Sequence, residues 1–149
     1  MKRSFLVAVA VISAALFAIS VWVGQWWTIG EVAVGPFGSR HCFGGDCRPG
    51  GLAWTGGGDL WMRTAVATWV GSLLTMVLLL GVAGAIAANR MPKLLAKSVL
   101  TSLVTTAIAG AYFAIKLPEM PGTTIGQGLI AFIAACVLGA VTAIRVIRH

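Results

Sequence analysis

The sequence contains few charged residues. Lys, Arg, Asp and Glu make up 10% of its 149 residues, whereas a soluble domain carries about a quarter. So few charges cannot cover a water-facing surface, which excludes an ordinary soluble globular protein. The hydrophobic share of 58% also excludes an intrinsically disordered chain, because disorder requires low hydrophobicity. These absences favour an integral membrane protein.

Acidic residues are missing from every long apolar stretch, which argues against the intramembrane relay of a proton or cation pump. The sequence also lacks a phosphate-binding loop, an H-E-x-x-H motif and a G-x-S-x-G motif. Its two histidines, His41 and His149, have no partner at helical spacing, and we expect His41 to be a solvated loop residue. We therefore predict no catalytic residue, no metal site and no cofactor.

Four apolar stretches are long enough to cross a membrane, which takes about 20 residues each. Such segments must be helical because lipid cannot satisfy free backbone groups. The fold class predicted is an all-α membrane protein, a bundle of four transmembrane helices forming a single domain over 1–149. The predicted order is span 4–23, outer loop 24–63, span 64–88, inner loop 89–97, span 98–115, outer loop 116–124, span 125–144 and inner tail 145–149.

The net charge of +7 is distributed unevenly over this topology. On the outer side, basic and acidic residues cancel. The inner side holds only basic residues, namely Lys2, Arg3, Arg90, Lys93, Lys97, Arg145 and Arg148. The positive-inside rule makes that side cytoplasmic, so both termini are expected inside a plasma membrane or a bacterial inner membrane. The inner loop is too short to build a nucleic-acid docking surface.

The N-terminal stretch has a second interpretation. A Met-Lys-Arg start followed by an apolar run also describes a signal peptide, with 18–20 as a cleavage site. The apolar run is longer than the usual signal core, however, and leads directly into tryptophans. We favour a retained helix.

The first outer loop carries most of the tryptophans and two of the three cysteines. The run 26–34 predicts one β-strand ended by Gly35-Pro36, and 37–43 predicts a partner strand. Gly44-Gly45-Asp46 is a turn signal between Cys42 and Cys47. Because the pair lies on the oxidising side of the membrane, we predict a structural disulfide that staples a small sheet.

The tryptophans and the small residues have different expected roles. Trp22, Trp26 and Trp69 are expected to anchor the protein at the membrane interface. Protein contact is assigned to the outer-loop residues Trp27, Gly35, Phe37, Trp54, Trp61 and Arg63. Close helix packing is assigned to Gly81, Gly84, Ser98, Ser102, Thr105 and Gly139. Ser98, Ser102, Thr105 and Ala109 are expected to share one face of the third span.

The order of features in the first outer loop resembles a known family. The features are Trp27, then Gly35-Pro36-Phe37, then Cys42 and Cys47, then Arg63. This order is similar to the W…G-L-W…C…C pattern of the claudin and peripheral-myelin-protein group of four-span membrane proteins. Here Pro-Phe stands in place of Leu-Trp, four residues rather than two separate the aromatic residue from the first cysteine, and the cysteines are closer together.

The resemblance implies a small antiparallel sheet in the first outer loop and a non-enzymatic role. Claudins adhere between cells, line paracellular pores or act as auxiliary subunits of channels. Since the second outer loop is short, we expect a structural or accessory subunit rather than an adhesion protein. The expected partners are the lipid bilayer and either a larger membrane protein or further copies of this chain.

Two other functions remain open from the sequence. The first is a membrane thiol–disulfide oxidoreductase that uses Cys42 and Cys47, although such enzymes typically need a C-x-x-C pair and a second cysteine pair. The second is an oligomeric channel or transporter component, which the Ser- and Thr-bearing helix faces permit although no charged filter is evident.

Overall fold

The computed structural model describes residues 3–23 and 25–148, so Lys2 and His149 lie outside the described residues. The chain is mostly helical. Helix α1 spans Arg3–Ala18 and continues into one π-helical turn, Ile19–Val23; α2 spans Asp59–Ala87, α3 Lys93–Ile115 and α4 Gln127–Arg148. All four are long and apolar enough to cross a membrane, which confirms the four predicted apolar helices.

The four helices form a bundle in which α1 packs against α2 and α4, and α3 packs against the same two helices. Helix ends differ from the predicted spans, several of which begin or end next to a charged residue. Helix α2 begins at Asp59, where an acidic side chain suits the positive end of the helix dipole. Helix α3 begins at Lys93, directly after Pro92, and α4 continues to Arg148.

Five short strands form one antiparallel sheet outside the bundle, as the sequence predicted in outline. They are β1 Trp27–Ile29, β2 Val32–Gly35, β3 Gly38–Phe43, β4 Asp46–Gly50 and β5 Thr123–Ile125, in the order β4-β3-β2-β1-β5. Strand β5 comes from the second outer loop and pairs with β1, so the two outer loops form a single sheet.

The predicted single strand over 26–34 is wrong: this run folds back on itself as a hairpin. Ile29 pairs with Val32, and the two residues between them form the turn, where Gly30 has a φ of 57°. Glycine adopts that left-handed conformation without strain, and this decides where the strand breaks. The signal was hidden because β-branched and aromatic residues lie on both sides of the turn.

Strands β3 and β4 form a hairpin closed by Gly44 and Gly45, with φ of 60° and 91°. Positive φ at both central residues is the geometry that suits a two-residue hairpin. Cys42 and Cys47 lie directly opposite each other, with Cα atoms 4.0 Å apart, and form the predicted disulfide. The Cys42 backbone N–H is donated to the Glu31 carbonyl at 3.1 Å, away from β4.

Aromatic side chains fill the space between the sheet and the outer ends of the helices. This aromatic junction consists of Trp26, Trp27, Trp61, Phe113 and Phe132, each at most 4% exposed. The Trp26 ring lies 4.8 Å from Phe132 and 5.6 Å from Phe113, and Trp61 stacks on Phe113 at 4.7 Å. The junction joins β1, α2, α3 and α4, and therefore fixes the sheet on the bundle.

The interior of the bundle is built from small and hydroxyl-bearing side chains. Ser13 on α1 donates to the Ala135 carbonyl of α4 at 2.8 Å, and Thr75 on α2 bonds to Ser102 on α3 at 2.8 Å. Among the described residues, the buried hydroxyl of Ser72 has no hydrogen-bond partner. Short side chains of this kind let helix backbones approach closely.

The predicted packing residues divide into two groups. Ser102 and Gly139 are buried as expected, whereas Gly84, Ser98 and Thr105 are exposed on the outside of the bundle. Gly81 is exposed but lies against α3, where a Cβ on it would stand 3.1 Å from the Leu95 side chain. The buried face of α3 passes through Ser102, Thr106 and Gly110, so it is rotated from the face that we predicted. The predicted face and the observed buried face of α3 both have helical spacing in the sequence. Only the positions of α2 and α4 in the bundle determine which of the two faces is buried.

Candidate contact surface on the outer module

The outer module, residues 25–58 together with β5, projects away from the helices. Exposure rises along strands β1 to β4 with distance from the aromatic junction. Trp27, Val34 and Ser39 are buried, whereas the Gly30-Glu31 and Gly44-Gly45 turns are exposed. The β1–β2 turn and the β3–β4 turn therefore lie at the far end of the module, where a partner could reach them.

Three aromatic rings form an exposed row on one face of this module. We call His41, Phe43 and Trp54 the distal aromatic surface. Phe43 is 60% exposed and Trp54 is 47% exposed. The His41 ring lies between them, 6.3 Å from Phe43 and 5.3 Å from Trp54 between ring centroids. Aromatic rings are enriched at protein contacts relative to the rest of a protein surface.

The hydroxyl of Ser39 fixes two of these rings from beneath. Ser39 Oγ donates its one proton to the Gly51 carbonyl at 2.8 Å and accepts the Trp54 indole N–H at 3.0 Å. The same oxygen lies 3.0 Å from His41 Nε2. Ser39 therefore connects the His41 and Trp54 rings to the chain that follows β4. The row is thus held in place by hydrogen bonds before any partner binds.

Two opposite charges flank the row. Asp46 lies opposite Phe43 on β4, and Arg48 lies opposite His41, both on the same face. These four side chains line a shallow depression of about 390 Å³. The surface therefore presents apolar rings, one positive charge and one negative charge, a mixture suited to a polar-rimmed protein contact.

The predicted contact residues are only partly at the surface. Trp54 is exposed, and Arg63 is exposed on the first turns of α2, but Trp27 and Trp61 are buried in the aromatic junction. Trp61 donates its indole N–H to the Phe113 carbonyl at 2.9 Å, so it joins α2 to α3.

Gly35 and Phe37 lie at the turn between β2 and β3. The half-buried Phe37 ring stands so close to Gly35 that a Cβ there would lie 2.6 Å from a ring carbon. The Arg40 guanidinium stands 5.6 Å above the same ring and donates to the Trp22 carbonyl at 3.3 Å. These residues connect the sheet to the end of α1 rather than forming an exposed contact.

The three expected interfacial anchors differ in exposure. Trp22 is 47% exposed and Trp69 is half-buried, whereas Trp26 is fully buried. The anchor assignment for Trp26 therefore needs correction, because its ring packs in the aromatic junction and its indole N–H is donated to the Ser20 carbonyl at 3.1 Å. Ser20 belongs to the π-helical turn at the end of α1, so this bond fixes the exit of the chain from the bundle.

Sequence reasoning missed Phe43 and Ser39, and it treated His41 as a solvated loop residue. The alternation Ser39, His41, Phe43 along β3 was the available signal, since alternate residues of a strand share a face. In the described part of the chain, no three His, Cys, Asp or Glu side chains come together to hold a metal ion. No protein-family model and no curated protein matches this sequence.

Proposed function

We propose that this chain is a non-enzymatic, four-span integral membrane protein that serves as a structural or accessory subunit. Large apolar side chains are exposed around the outside of the bundle, including Val66, Leu94, Ile108, Ile130 and Val137. Apolar surface of this extent is costly in water and suited to hydrocarbon. Because the apolar surface surrounds all four helices, we infer that it contacts the hydrocarbon chains of lipids.

The proposed orientation places both termini and the loop between α2 and α3 in the cytoplasm. The Arg3 guanidinium donates to the Asn89 side-chain carbonyl at 2.6 Å, which brings the start of α1 beside that loop. Arg90 belongs to the same loop, Lys93 begins α3 and Arg145 lies in the last turn of α4, so all three are at the same end of the bundle. The clustering of basic residues at one end of the bundle supports the positive-inside assignment.

The distal aromatic surface carries the proposal of a partner protein. Its rings are held by Ser39 and by the stapled hairpin, so little side-chain entropy is lost when a partner binds. Pre-organised aromatic anchors of this kind commonly dominate the energy of protein contacts. We infer that the partner, either a larger membrane protein or another copy of this chain, contacts Phe43 and Trp54.

A claudin-like origin of the outer module is part of the same proposal. The support is a small antiparallel sheet between the first two helices, with the Cys42–Cys47 disulfide across neighbouring strands. The resemblance favours an auxiliary role beside another membrane protein. The thiol–disulfide alternative has weaker support, because the third cysteine, Cys136, lies within α4 and not in the outer module.

The test is purification from native membranes in mild detergent, with the Phe43→Ala/Trp54→Ala double variant beside the wild type. We expect the wild type to co-purify with a partner protein or as an oligomer, and the double variant to lose it. Trp22→Ala is the matched control, because Trp22 is equally exposed but lies outside the distal aromatic surface. A wild-type protein that purifies as a lone monomer would contradict the proposal.

A further inference from the structure

The inner end of the bundle carries a positive surface that no acidic side chain balances. This end comprises the start of α1, the loop between α2 and α3, the first turns of α3 and the last turn of α4. Its described basic side chains are all exposed: Arg3, Arg90, Lys93, Lys97, Arg145 and Arg148. The acidic residues of the sequence lie in the outer module, at the outer start of α2 or in the loop after α3, namely Glu31, Asp46, Asp59 and Glu119. The inner charges therefore have no counter-charge from an Asp or Glu of this chain.

Contacts between the helices bring these charges together. The Arg3 guanidinium donates to the Asn89 side-chain carbonyl at 2.6 Å, across the start of α1 and the loop after α2. Helix α4 packs against α1 and α3, and its last turn is at the same end of the bundle. The amide of Asn89 accepts a hydrogen bond but carries no charge. Like charges gathered in this way repel one another, and an anion bound among them relieves the repulsion.

An apolar row on the outside of α4 leads directly to this positive surface. The row consists of large side chains that are 40–62% exposed, namely Ile130, Ile133, Val137, Val141 and Ile144. They recur every three or four residues and so share one face of the helix, and the same spacing places Arg148 on that face. A water-soluble polyanion would contact the charges and leave the row bare. A phospholipid matches both parts, since it has a charged head and apolar chains.

The last turn of α4 presents two arginines to the same phosphate. Arg145 and Arg148 are one helical turn apart, so their Cβ atoms lie about 5–6 Å from each other on the helix surface. Val146 between them is fully buried, so the helix is packed against its neighbours through this turn. Guanidinium groups donate paired N–H bonds to phosphate oxygens. From Arg148 back to Val137 the row extends about 16 Å, which is about one leaflet of the hydrocarbon core.

We propose that the inner end of the bundle binds an anionic phospholipid of the cytoplasmic leaflet. Its phosphate is held between the guanidinium groups of Arg145 and Arg148, and one acyl chain lies along the apolar row of α4. A zwitterionic headgroup is disfavoured, because its ammonium group meets further basic side chains and no carboxylate side chain. This inference rests on the proposed membrane location. It does not involve the distal aromatic surface, so the partner contact and the lipid site can fail independently.

The test is native mass spectrometry of the full-length protein in mild detergent, titrated with phosphatidylglycerol or with phosphatidylcholine of the same acyl chains. We expect the wild type to bind phosphatidylglycerol more tightly. Arg145→Gln/Arg148→Gln should weaken that binding about 25-fold, at about fivefold for each lost charge. Arg145→Lys/Arg148→Lys keeps both charges and should lose less. The matched control Lys116→Gln removes an exposed charge at the outer end of α3 and should leave the affinity unchanged.

A third ligand separates the lipid from its charged group alone. Inorganic phosphate at the concentration of the lipid supplies the anion without a chain and should not displace bound phosphatidylglycerol. Equal affinity of the wild type for the two lipids would overturn the proposal, and this comparison needs no variant to fold. Displacement by inorganic phosphate, or equal losses in Arg145→Gln/Arg148→Gln and Lys116→Gln, would also overturn it. A wild-type protein found in the aqueous fraction without detergent would contradict the membrane assignment itself, and this inference with it.

Discussion

The bundle and the outer module are stabilised in different ways. Inside the bundle, the buried residues are mainly alanine, serine, threonine and small aliphatic side chains, and helices meet through pairs such as Thr75 and Ser102. The outer module has a disulfide, tight glycine turns and a floor of tryptophan and phenylalanine rings. The first arrangement relies on close backbone approach, and the second relies on large apolar area and covalent restraint.

This difference follows from the solvent that we propose for each region. In lipid, exposed apolar side chains cost nothing, so helix association depends on packing and on hydrogen bonds between helices. In water, a sheet with strands of six residues or fewer has little core of its own and needs a staple and an aromatic base. The aromatic junction is where the two regions meet, and we expect the largest effects there.

The strongest test of the comparison is Trp26→Ala. Trp26 is fully buried and contacts rings on β1, α3 and α4, so its loss should leave a cavity and cost about 3–5 kcal/mol of unfolding free energy. Trp22→Ala removes an equally large ring that is 47% exposed and should cost less than about 1 kcal/mol in detergent. Unfolding by SDS titration measures both. Similar losses would show that the junction does not join the two regions.

Removal of the disulfide should affect the outer module alone. The Cys42→Ala/Cys47→Ala variant loses the covalent closure of the short β3–β4 loop. In the chain-entropy model, that loss lowers the stability of the hairpin by about 2 kcal/mol. We expect faster amide hydrogen exchange in β3 and β4, with α1–α4 unchanged. The control is Cys136→Ala, which removes the unpaired cysteine of α4 and should leave the hairpin protected. Faster exchange throughout the bundle would mean that the regions are not separable.

Gly110→Ala tests close approach inside the bundle. A methyl group there would meet the Phe132 ring, which is held by its own neighbours, so we expect a loss of about 1–2 kcal/mol. Gly84→Ala is the matched change on α2, where nothing lies within 4 Å, and it should be neutral or slightly stabilising. SDS-titration unfolding should rank the two variants, and the opposite ranking would contradict the described packing.

The smallest expected effects concern the buried hydroxyl groups. Ser13→Ala removes the bond to Ala135 and should cost about 0.6–1 kcal/mol, the usual value of an interhelical hydrogen bond in lipid. Ser72→Ala removes a hydroxyl that has no partner among the described residues, so it should leave stability unchanged or raise it. Equal destabilisation by both substitutions would show that the Ser72 hydroxyl makes a stabilising hydrogen bond, which contradicts the described packing.

The elements that the sequence predicted are those with strong local signals. Four long apolar stretches predicted the four helices, because helix formation in an apolar segment depends on composition alone. The Cys42 and Cys47 pair, separated by two turn glycines, predicted the disulfide because local geometry nearly suffices to form it. In contrast, β5 was missed because Thr124 meets Thr28, which is 96 residues away in the chain.

Burial was harder to predict than secondary structure. Trp22 lies in the π-helical turn after α1 and Trp26 lies four residues further on, and the two look alike in the sequence, yet one is exposed and the other is fully buried. The distinction arises from α3 and α4, whose phenylalanines surround Trp26. The candidate contact surface shares this difficulty, since the position of Trp54 beside His41 depends on Ser39 and on the path of the loop 51–58.

The most direct test of the central claim is a labelling experiment that asks which parts of the chain face outward. In a Cys136→Ala background, Glu31→Cys places a thiol in the exposed β1–β2 turn and Arg90→Cys places one in the loop between α2 and α3. With a membrane-impermeant maleimide on intact cells or spheroplasts, we predict labelling of the Glu31→Cys variant at once and of the Arg90→Cys variant only after permeabilisation. Labelling of the Arg90→Cys variant in intact cells, with none of the Glu31→Cys variant, would contradict the account.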